Sequence, residues 1–258
     1  METEWRRLRA DELRERAGAD AMVILPVASL EQHGPHLPVE VDTLLGETIA
    51  HRAAAAIAAR GEQALVLPAI WTGLSEHHMS FGGTVTLDEP TFAALIEGVV
   101  RSVLRHGFRR IVLLNAHGGN ENALRTITDA LTPKLGVPIV QLTYWYAAAA
   151  AIAGILERQT ALAHACEAET SMMLAIRPEL VARERIPLAR ANRSPEPAPG
   201  VYRWRTIAAR SASGVIGEPE AATAAKGERL LAAIAEAVAA KLCDPELWQL
   251  PWQADPDA

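Results

Sequence analysis

Cysteine is scarce in this chain of 258 residues, which contains only Cys166 and Cys243. The two cysteines lie far apart and form no CxxC pair, so nothing in the sequence suggests a disulfide framework. The segment 1–7 is charged and no apolar run of the signal-peptide type follows it. These features predict a protein of a reducing compartment, and we expect a cytoplasmic location.

An excess of positive charge is also missing, because the formal net charge is −6. Nucleic acids and anionic membranes both require basic surfaces, so we expect neither as a partner. The longest stretch of low charge, 141–156, is shorter than the roughly 20 residues that a membrane-spanning helix needs. The sequence therefore favours a soluble protein that binds a small molecule.

Half of the residues are hydrophobic, and the apolar runs alternate with segments of helical pattern. This alternation predicts an α/β fold with a largely parallel sheet and helices on both faces, formed by one domain over residues 1–258. Predicted strands cover 22–28, 64–70, 111–114 and 137–142. Predicted helices cover 7–17, 40–60, 88–105, a segment ending near 131, 147–158, a segment starting near 167, and 219–241.

Polar side chains follow three of the predicted strands. They are Glu31, His33 and Asp42 after the first, Ser75, His77 and His78 after the second, and Asn115 and His117 after the third. Ligands of open α/β sheets bind at the carboxyl ends of the strands, so we expect these groups to converge. Carboxylates and imidazoles together are ligands for divalent metals and also acid–base groups.

Several of these features have a second interpretation. The first cluster could be a polar loop with a structural histidine. Gly118 and Gly119 either leave room for a metal ion to reach His117 or form a phosphate-binding turn. Neither a lysine nor a GxGxxG pattern accompanies them. Of Glu167 and Glu169, we expect one to face the site and the other to be a solvated carboxylate of the first helical turn.

Four motifs, taken in order, resemble the creatininase family. They are Glu31–Pro38, Ser75–Thr84, Asn115–Asn120 and His164–Ser171. The resemblance implies a three-layer αβα sandwich, a two-metal hydrolase centre and a homohexamer built as a trimer of dimers.

The resemblance also implies a set of metal ligands. By position, Glu31, Asp42 and His117 correspond to the ligands of one ion, and His33, Asp42 and Glu169 to those of a second, with Asp42 bridging. Zn²⁺ is the expected ion, with Mn²⁺ or Fe²⁺ as alternatives at one position. A hydroxide bridging two such ions attacks an amide carbon.

The same resemblance assigns the remaining groups. His164 would protonate the leaving nitrogen. On the sequence alone, it could instead be an ordinary cap of the preceding loop. Ser75 and His78 orient the substrate.

The chain departs from the creatinine-hydrolysing members of the family at four positions. Gly118 and Gly119 stand where those members have Tyr and a ligating Glu, and Thr160 and Ala161 stand where they have Trp and Asp. Creatinine is therefore not the expected substrate. Cys166 replaces the usual Gly and places a thiol near the metals.

We therefore predict an amidohydrolase that acts on a small cyclic amide or a formamide. A peptidase of the mycofactocin-maturation type and a formylaminopyrimidine deformylase are the alternatives within the family, and a non-catalytic α/β binding protein is the alternative outside it. The Pro- and Gly-containing segment 183–216 is expected to be a surface excursion near the active site or an oligomer contact.

Overall fold

A computed structural model describes residues 2–189, 198 and 200–250. Its centre is a four-stranded parallel sheet with the order β2-β1-β3-β4. The strands are β1 (Met22–Val27), β2 (Ala64–Val66), β3 (Arg110–Asn115) and β4 (Ile139–Thr143). The register pairs Val27 of β1 with Asn115 of β3, so the carboxyl ends of the two central strands lie side by side.

Helices connect and cover the strands. They are α1 (Ala10–Gly18), α2 (Val41–Ala59), α3 (Glu89–Arg105), α4 (Glu121–Leu135), α5 (Tyr144–Ala147), α6 (Ala149–Ile155), α7 (Glu167–Ile176) and α8 (Ala224–Leu242). Short 3-10 turns include Glu76–His78 and Gly118–Asn120, which carry site residues.

Strand β1 is buried along its whole length, because successive side chains point into two different cores. Met22 and Ile24 pack with α2, α7 and α8 on one face of the sheet. Val23 and Leu25 pack with α3 and α4 on the other. The predicted α/β fold with helices on both faces is thus confirmed.

Two predicted elements are shorter in the structure. Strand β2 ends at Val66, and the chain returns to the sheet only as an isolated bridge between Ile70 and Val27. The helix predicted over 147–158 is interrupted at Ala148 and ends at Ile155. The Glu167 carboxylate accepts the backbone N–H groups of residues 157 and 158, which a continuing helix would donate to its own carbonyls.

The last predicted helix begins later than expected. Thr223 is its N-cap and accepts a hydrogen bond from the Lys226 backbone, so α8 starts at Ala224, after a separate 3-10 turn over Pro219–Ala221. Within the described residues, every helix is too short or too polar to cross a lipid bilayer.

The excursion 183–216 lies partly outside the described residues, at 190–197 and 199. Its later part lies against the loops that carry the polar clusters. The Ile207 backbone N–H donates to the His77 carbonyl, and the Ile216 N–H donates to the His164 carbonyl. This part of the excursion therefore borders the candidate site, as predicted.

Candidate metal centre

The fold brings four of its segments together at the carboxyl edge of the sheet. The loop after β1 supplies Glu31 and His33, and the loop after β3 supplies His117. The first turn of α2 contributes Asp42, and the first turn of α7 contributes Glu169. All five side chains are buried. Buried charges of this kind require partners or a bound ion.

Glu31, Asp42 and His117 form a first group of ligand atoms. His117 Nδ1 lies 3.0 Å from Glu31 Oε2 and 3.1 Å from Asp42 Oδ2. His117 Nε2 points away and donates to the Leu74 carbonyl at 3.2 Å, so the Nδ1 lone pair of the neutral ring faces the two carboxylates. This orientation is the one that a metal-ligating imidazole needs.

His33, Asp42 and Glu169 form the second group. His33 Nε2 lies 3.2 Å from Asp42 Oδ1 and 3.9 Å from Glu169 Oε1. His33 Nδ1 donates to the Glu31 carbonyl at 3.1 Å, and Glu169 Oε2 accepts from the Cys166 backbone N–H at 3.3 Å. Asp42 therefore turns one carboxylate oxygen toward each group.

The residues present fit a pair of divalent cations. Within each group, the candidate ligand atoms lie within 4.8 Å of one another. His33 Nε2 and Asp42 Oδ2 are buried and, within the described part of the chain, form no hydrogen bond. Buried polar atoms without a hydrogen bond are costly unless an ion satisfies them. Nitrogen and carboxylate oxygen ligands suit Zn²⁺ and neighbouring transition metals.

The electrostatics of the centre show how strongly its charges interact. Burial alone would lower the pKa of His33, but the carboxylates of Asp42, Glu169 and Glu31 outweigh it and raise the pKa to about 9. Burial, together with the charges of Asp42 and Glu31, raises the pKa of Glu169 to about 7, although His33 opposes the shift. The carboxylates of Glu31 and Asp42 likewise hold the pKa of His117 well above its ordinary value, against the effect of burial.

The remaining predicted residues surround the same carboxylate, Glu31. His78 Nε2 lies 3.3 Å from Glu31 Oε1, and His164 Nδ1 lies 3.6 Å from the same oxygen. Burial and the nearby charge of His33 lower the pKa of His164 well below its ordinary value, so its ring is neutral. A neutral imidazole beside the ligand groups is able to accept and return a proton.

Ser75 lies against Glu31 and His117. Its hydroxyl is fully buried, donates to Glu31 Oε2 at 2.8 Å and lies 3.0 Å from His117 Nε2. Within the described residues it is not part of the cleft wall. These contacts hold Ser75 against Glu31 and His117, whereas His78 lines the cleft, and the substrate-orienting role of both residues stays a prediction.

Glu167 also corrects a prediction. We expected the second carboxylate of the Glu167/Glu169 pair to be solvated, but Glu167 is fully buried and pairs with Lys226 of α8. It also accepts the backbone N–H groups that end α6. Cys166 is buried beside Glu169, and burial raises the pKa of its thiol to about 12, so it packs as an uncharged group.

Gln32 was not among the predicted site residues. Its side-chain Nε2 lies 3.0 Å from His78 Nδ1 and 3.0 Å from His164 Nε2. Its position between Glu31 and His33 in the first motif was the only sequence signal available.

The centre lies in the floor of an open cleft of about 1190 Å³. Pockets for drug-sized ligands usually occupy about 300–1,000 Å³, so this cleft accommodates more than a single small ring. Aromatic and basic side chains line the same cleft as the ligand groups. They are Trp145, Tyr146, Tyr202, Arg203, Trp204 and Arg205.

Comparison with known proteins agrees with this geometry. A family model described as Creatininase, creatinine amidohydrolase, matches residues 6–242. The mycofactocin precursor peptide peptidase of Mycobacterium ulcerans is 33% identical over 214 residues, which are 81% of this chain and 80% of that protein. The creatinine amidohydrolase of Pseudomonas putida is 31% identical over 240 residues, which are 86% of this chain and 89% of that enzyme. A mutant creatininase structure of Zn–Zn type superposes with a TM-score of 0.79 at 27% identity, covering 94% of this chain and 97% of that one.

Proposed function

The chain belongs to the creatininase family, and we propose that it is a metal-dependent hydrolase that cleaves an amide C–N bond at the centre described above. One observation carries the proposal: Asp42 turns its two oxygens toward two separate groups of buried ligand atoms. A catalytically inactive binding protein has no need to keep both groups together, so we place that alternative last.

We assign one ion to Glu31, Asp42 and His117 and the other to His33, Asp42 and Glu169. Two divalent cations in such a centre supply an activated water and a Lewis acid for the amide oxygen. Three carboxylates against two dications leave a net positive site, which favours the charge that develops on that oxygen. Zn²⁺ is the proposed ion, with Mn²⁺ or Fe²⁺ as alternatives at one position.

The side chains around the ligands account for the proton transfers. His164 is neutral and its Nδ1 lies near Glu31, so it accepts the proton of the attacking water and passes it to the leaving nitrogen. His78 lines the cleft and contacts the same oxygen of Glu31, where it orients the carbonyl of the substrate. We assign neither residue to the two ligand groups, although each lies within reach of Glu31 in a further set of candidate ligand atoms.

For the substrate, we propose a peptide amide bond. The size of the cleft favours an extended substrate, and the family includes a relative named as a peptide peptidase. A small cyclic amide or a formamide is the second candidate, favoured by the relative named as creatinine amidohydrolase. The formamide class includes a formylaminopyrimidine, for which Arg203 and Arg205 on the cleft wall offer positive charge.

Hydrolysis of a substrate panel tests the proposal. The zinc-loaded protein and its Glu169→Gln variant are assayed with short peptides, lactams, cyclic ureas and formamides. We expect peptide cleavage that the variant reduces by at least about a hundredfold. Turnover of cyclic amides alone would support the second candidate, and the absence of turnover in all classes by metal-loaded protein would contradict the proposal.

The proposal also includes a cytoplasmic protein that assembles as a homohexamer, a trimer of dimers. Light scattering of the purified protein checks the assembly, which a monomeric mass would contradict.

A further inference from the structure

We propose that Gln32 is a positioning residue that fixes which ring nitrogen of His78 and of His164 carries the proton. As a result, His78 presents an N–H to the cleft and His164 presents an unprotonated nitrogen. The inference deepens the proposed function, because it assigns opposite starting roles to two histidines of the same site.

The orientation of the Gln32 amide is determined by two backbone groups. Its Oε1 accepts the Gly34 N–H at 2.9 Å, and its Nε2 donates to the Gly214 carbonyl at 3.1 Å. A backbone N–H only donates and a carbonyl only accepts, so exchanging the amide oxygen and nitrogen would break both bonds. The side chain is also buried, so water cannot easily replace either partner.

This orientation fixes His78. The Gln32 Nε2 group is a donor and lies 3.0 Å from His78 Nδ1, so Nδ1 must be the acceptor. The neutral ring of His78 then carries its hydrogen on Nε2. That atom lies 3.3 Å from Glu31 Oε1 at the floor of the cleft, where a hydrogen-bond donor is directed at the site.

The backbone of Gln32 fixes the tautomer of His164, and here the ring N–H points away from the cleft. His164 Nε2 lies 2.8 Å from the Gln32 carbonyl, which accepts only, so Nε2 carries the hydrogen. The same nitrogen lies 3.0 Å from Gln32 Nε2, but the two amide hydrogens are already directed to Gly214 and His78. In the neutral ring of His164 the lone pair therefore lies on Nδ1, which faces the cleft 3.6 Å from Glu31 Oε1.

The two histidines then start the reaction with complementary functions. The water oxygen bonds to the amide carbon while a water proton moves to His164 Nδ1. The His78 Nε2–H donates to the amide oxygen as negative charge develops on it. The C–N bond breaks, and His164 returns the proton to the leaving nitrogen. No net proton is gained or lost by either ring.

The excursion supplies the contact that keeps Gln32 in place. A Cβ atom at Gly214 would lie 2.1 Å from Gln32 Oε1, and Gly214 has a φ of +79° that favours glycine. The close approach of this backbone to Gln32 therefore requires glycine at position 214.

The test is the ¹⁵N NMR spectrum of the histidine rings in the zinc-loaded protein, which distinguishes the two neutral tautomers. We expect Nε2–H rings for both His78 and His164. In Gln32→Glu the carboxylate has no hydrogen to donate and accepts one from His78 instead, so we expect His78 to change to the Nδ1–H tautomer. For the same variant we expect kcat to fall about 10²-fold with little change in KM. Gln63→Glu, far from the site, is the matched control and should change neither readout.

Two results would overturn the inference. One is an Nδ1–H tautomer of His78 in the unmodified protein, which decides the matter even if the variant fails to fold. The other is an unchanged His78 tautomer in Gln32→Glu with its zinc content intact. Because the tautomers are read without a substrate, a failure of the proposed hydrolase activity leaves this test in force and is recognised separately.

Discussion

Lys226 of α8 forms an ion pair with Glu167 of α7 in the protein interior, where Glu167 is fully buried and Lys226 is only 4% exposed. The ammonium group also donates to the Ala221 carbonyl. Glu167 in turn receives the backbone N–H groups of residues 157 and 158, at the start of the loop that leads to His164. The pair therefore joins the last helix to the segment that positions a predicted catalytic residue.

Removal of one member of this pair should be strongly destabilising. Lys226→Met leaves the Glu167 carboxylate buried without its cation, so we expect the free energy of unfolding to fall by about 3–5 kcal/mol. Urea unfolding followed by circular dichroism measures the change. The double variant Lys226→Met/Glu167→Gln should recover part of the loss, because it removes the buried charge as well. An effect below about 1 kcal/mol for Lys226→Met would show that the pair is not energetically important.

Metal binding should release protons. His33, with a pKa of about 9, and His117, with a pKa well above its ordinary value, are both mainly protonated at pH 7 in the metal-free protein. Each must become neutral to bind a metal, and Glu169, with a pKa of about 7, must be fully ionised. We therefore expect between about two and three protons released per chain at pH 7 and an affinity that rises from pH 7 to about 9. Calorimetry in buffers of different ionisation enthalpy measures both quantities. Proton release near zero at pH 7 would contradict these pKa shifts.

The same shift predicts a pH dependence of the metal-free fold. Because the pKa of His33 is raised on folding, its contribution to stability is complete below the unfolded value of about 6.5. That contribution disappears as the pH rises through about 9. Thermal unfolding of the chelator-treated protein should therefore show a lower Tm at pH 9 than at pH 6.5, and a higher Tm at pH 9 would contradict the sign.

Gly214→Ala separates backbone strain from the contact with Gln32. Gly61 has a similar φ of +83° but open space around it, so Gly61→Ala should cost only the strain of about 1–2 kcal/mol. Gly214→Ala adds a clash with Gln32 and should cost about 1–3 kcal/mol more, with a loss of kcat that Gly61→Ala does not show. Equal stability and equal activity of the two variants would mean that Gly214 does not hold Gln32.

Position 119 should not tolerate the glutamate that creatinine-hydrolysing members of the family have there. A Cβ atom there would lie 2.3 Å from the Leu74 carbonyl and 2.4 Å from His117 Nε2. We therefore expect Gly119→Glu to displace His117 and lower the metal content without producing creatinine hydrolysis. Gly118→Ala, with open space at its Cβ, is the control and should keep its metals. Creatinine turnover by Gly119→Glu with full metal content would contradict this explanation.

Much of the site could be predicted because the sequence patterns that mark it are local. The strand-end position of Glu31, His33 and His117 follows from apolar runs that end in polar loops, and the creatininase resemblance indicated which carboxylate of α7 faces them. The structure brings these residues together with Asp42 and Glu169 in the two groups that the resemblance implied. Their role as ligands stays a prediction until metal is measured.

Other features depended on contacts between distant segments. Lys226 lies 59 residues from Glu167, so no local pattern around Glu167 indicates that it is buried. The orientation of the Gln32 side chain depends on its hydrogen bond to the Gly214 carbonyl, which lies 182 residues away in the sequence. The end of α6 depends on a nearer contact, in which the Glu167 carboxylate of α7 accepts the backbone N–H groups of residues 157 and 158.

The metal content of the Asp42→Asn variant tests the shared carboxylate most directly. Elemental analysis after reconstitution with Zn²⁺ and Mn²⁺ should find about two ions per chain in the unmodified protein and in Glu76→Gln, an exposed carboxylate on the cleft wall outside both groups. Asp42→Asn should retain fewer than about half an ion per chain, because one substitution weakens both sites. Fewer than about half an ion in the unmodified protein, or two ions in Asp42→Asn, would contradict a two-metal centre bridged by Asp42.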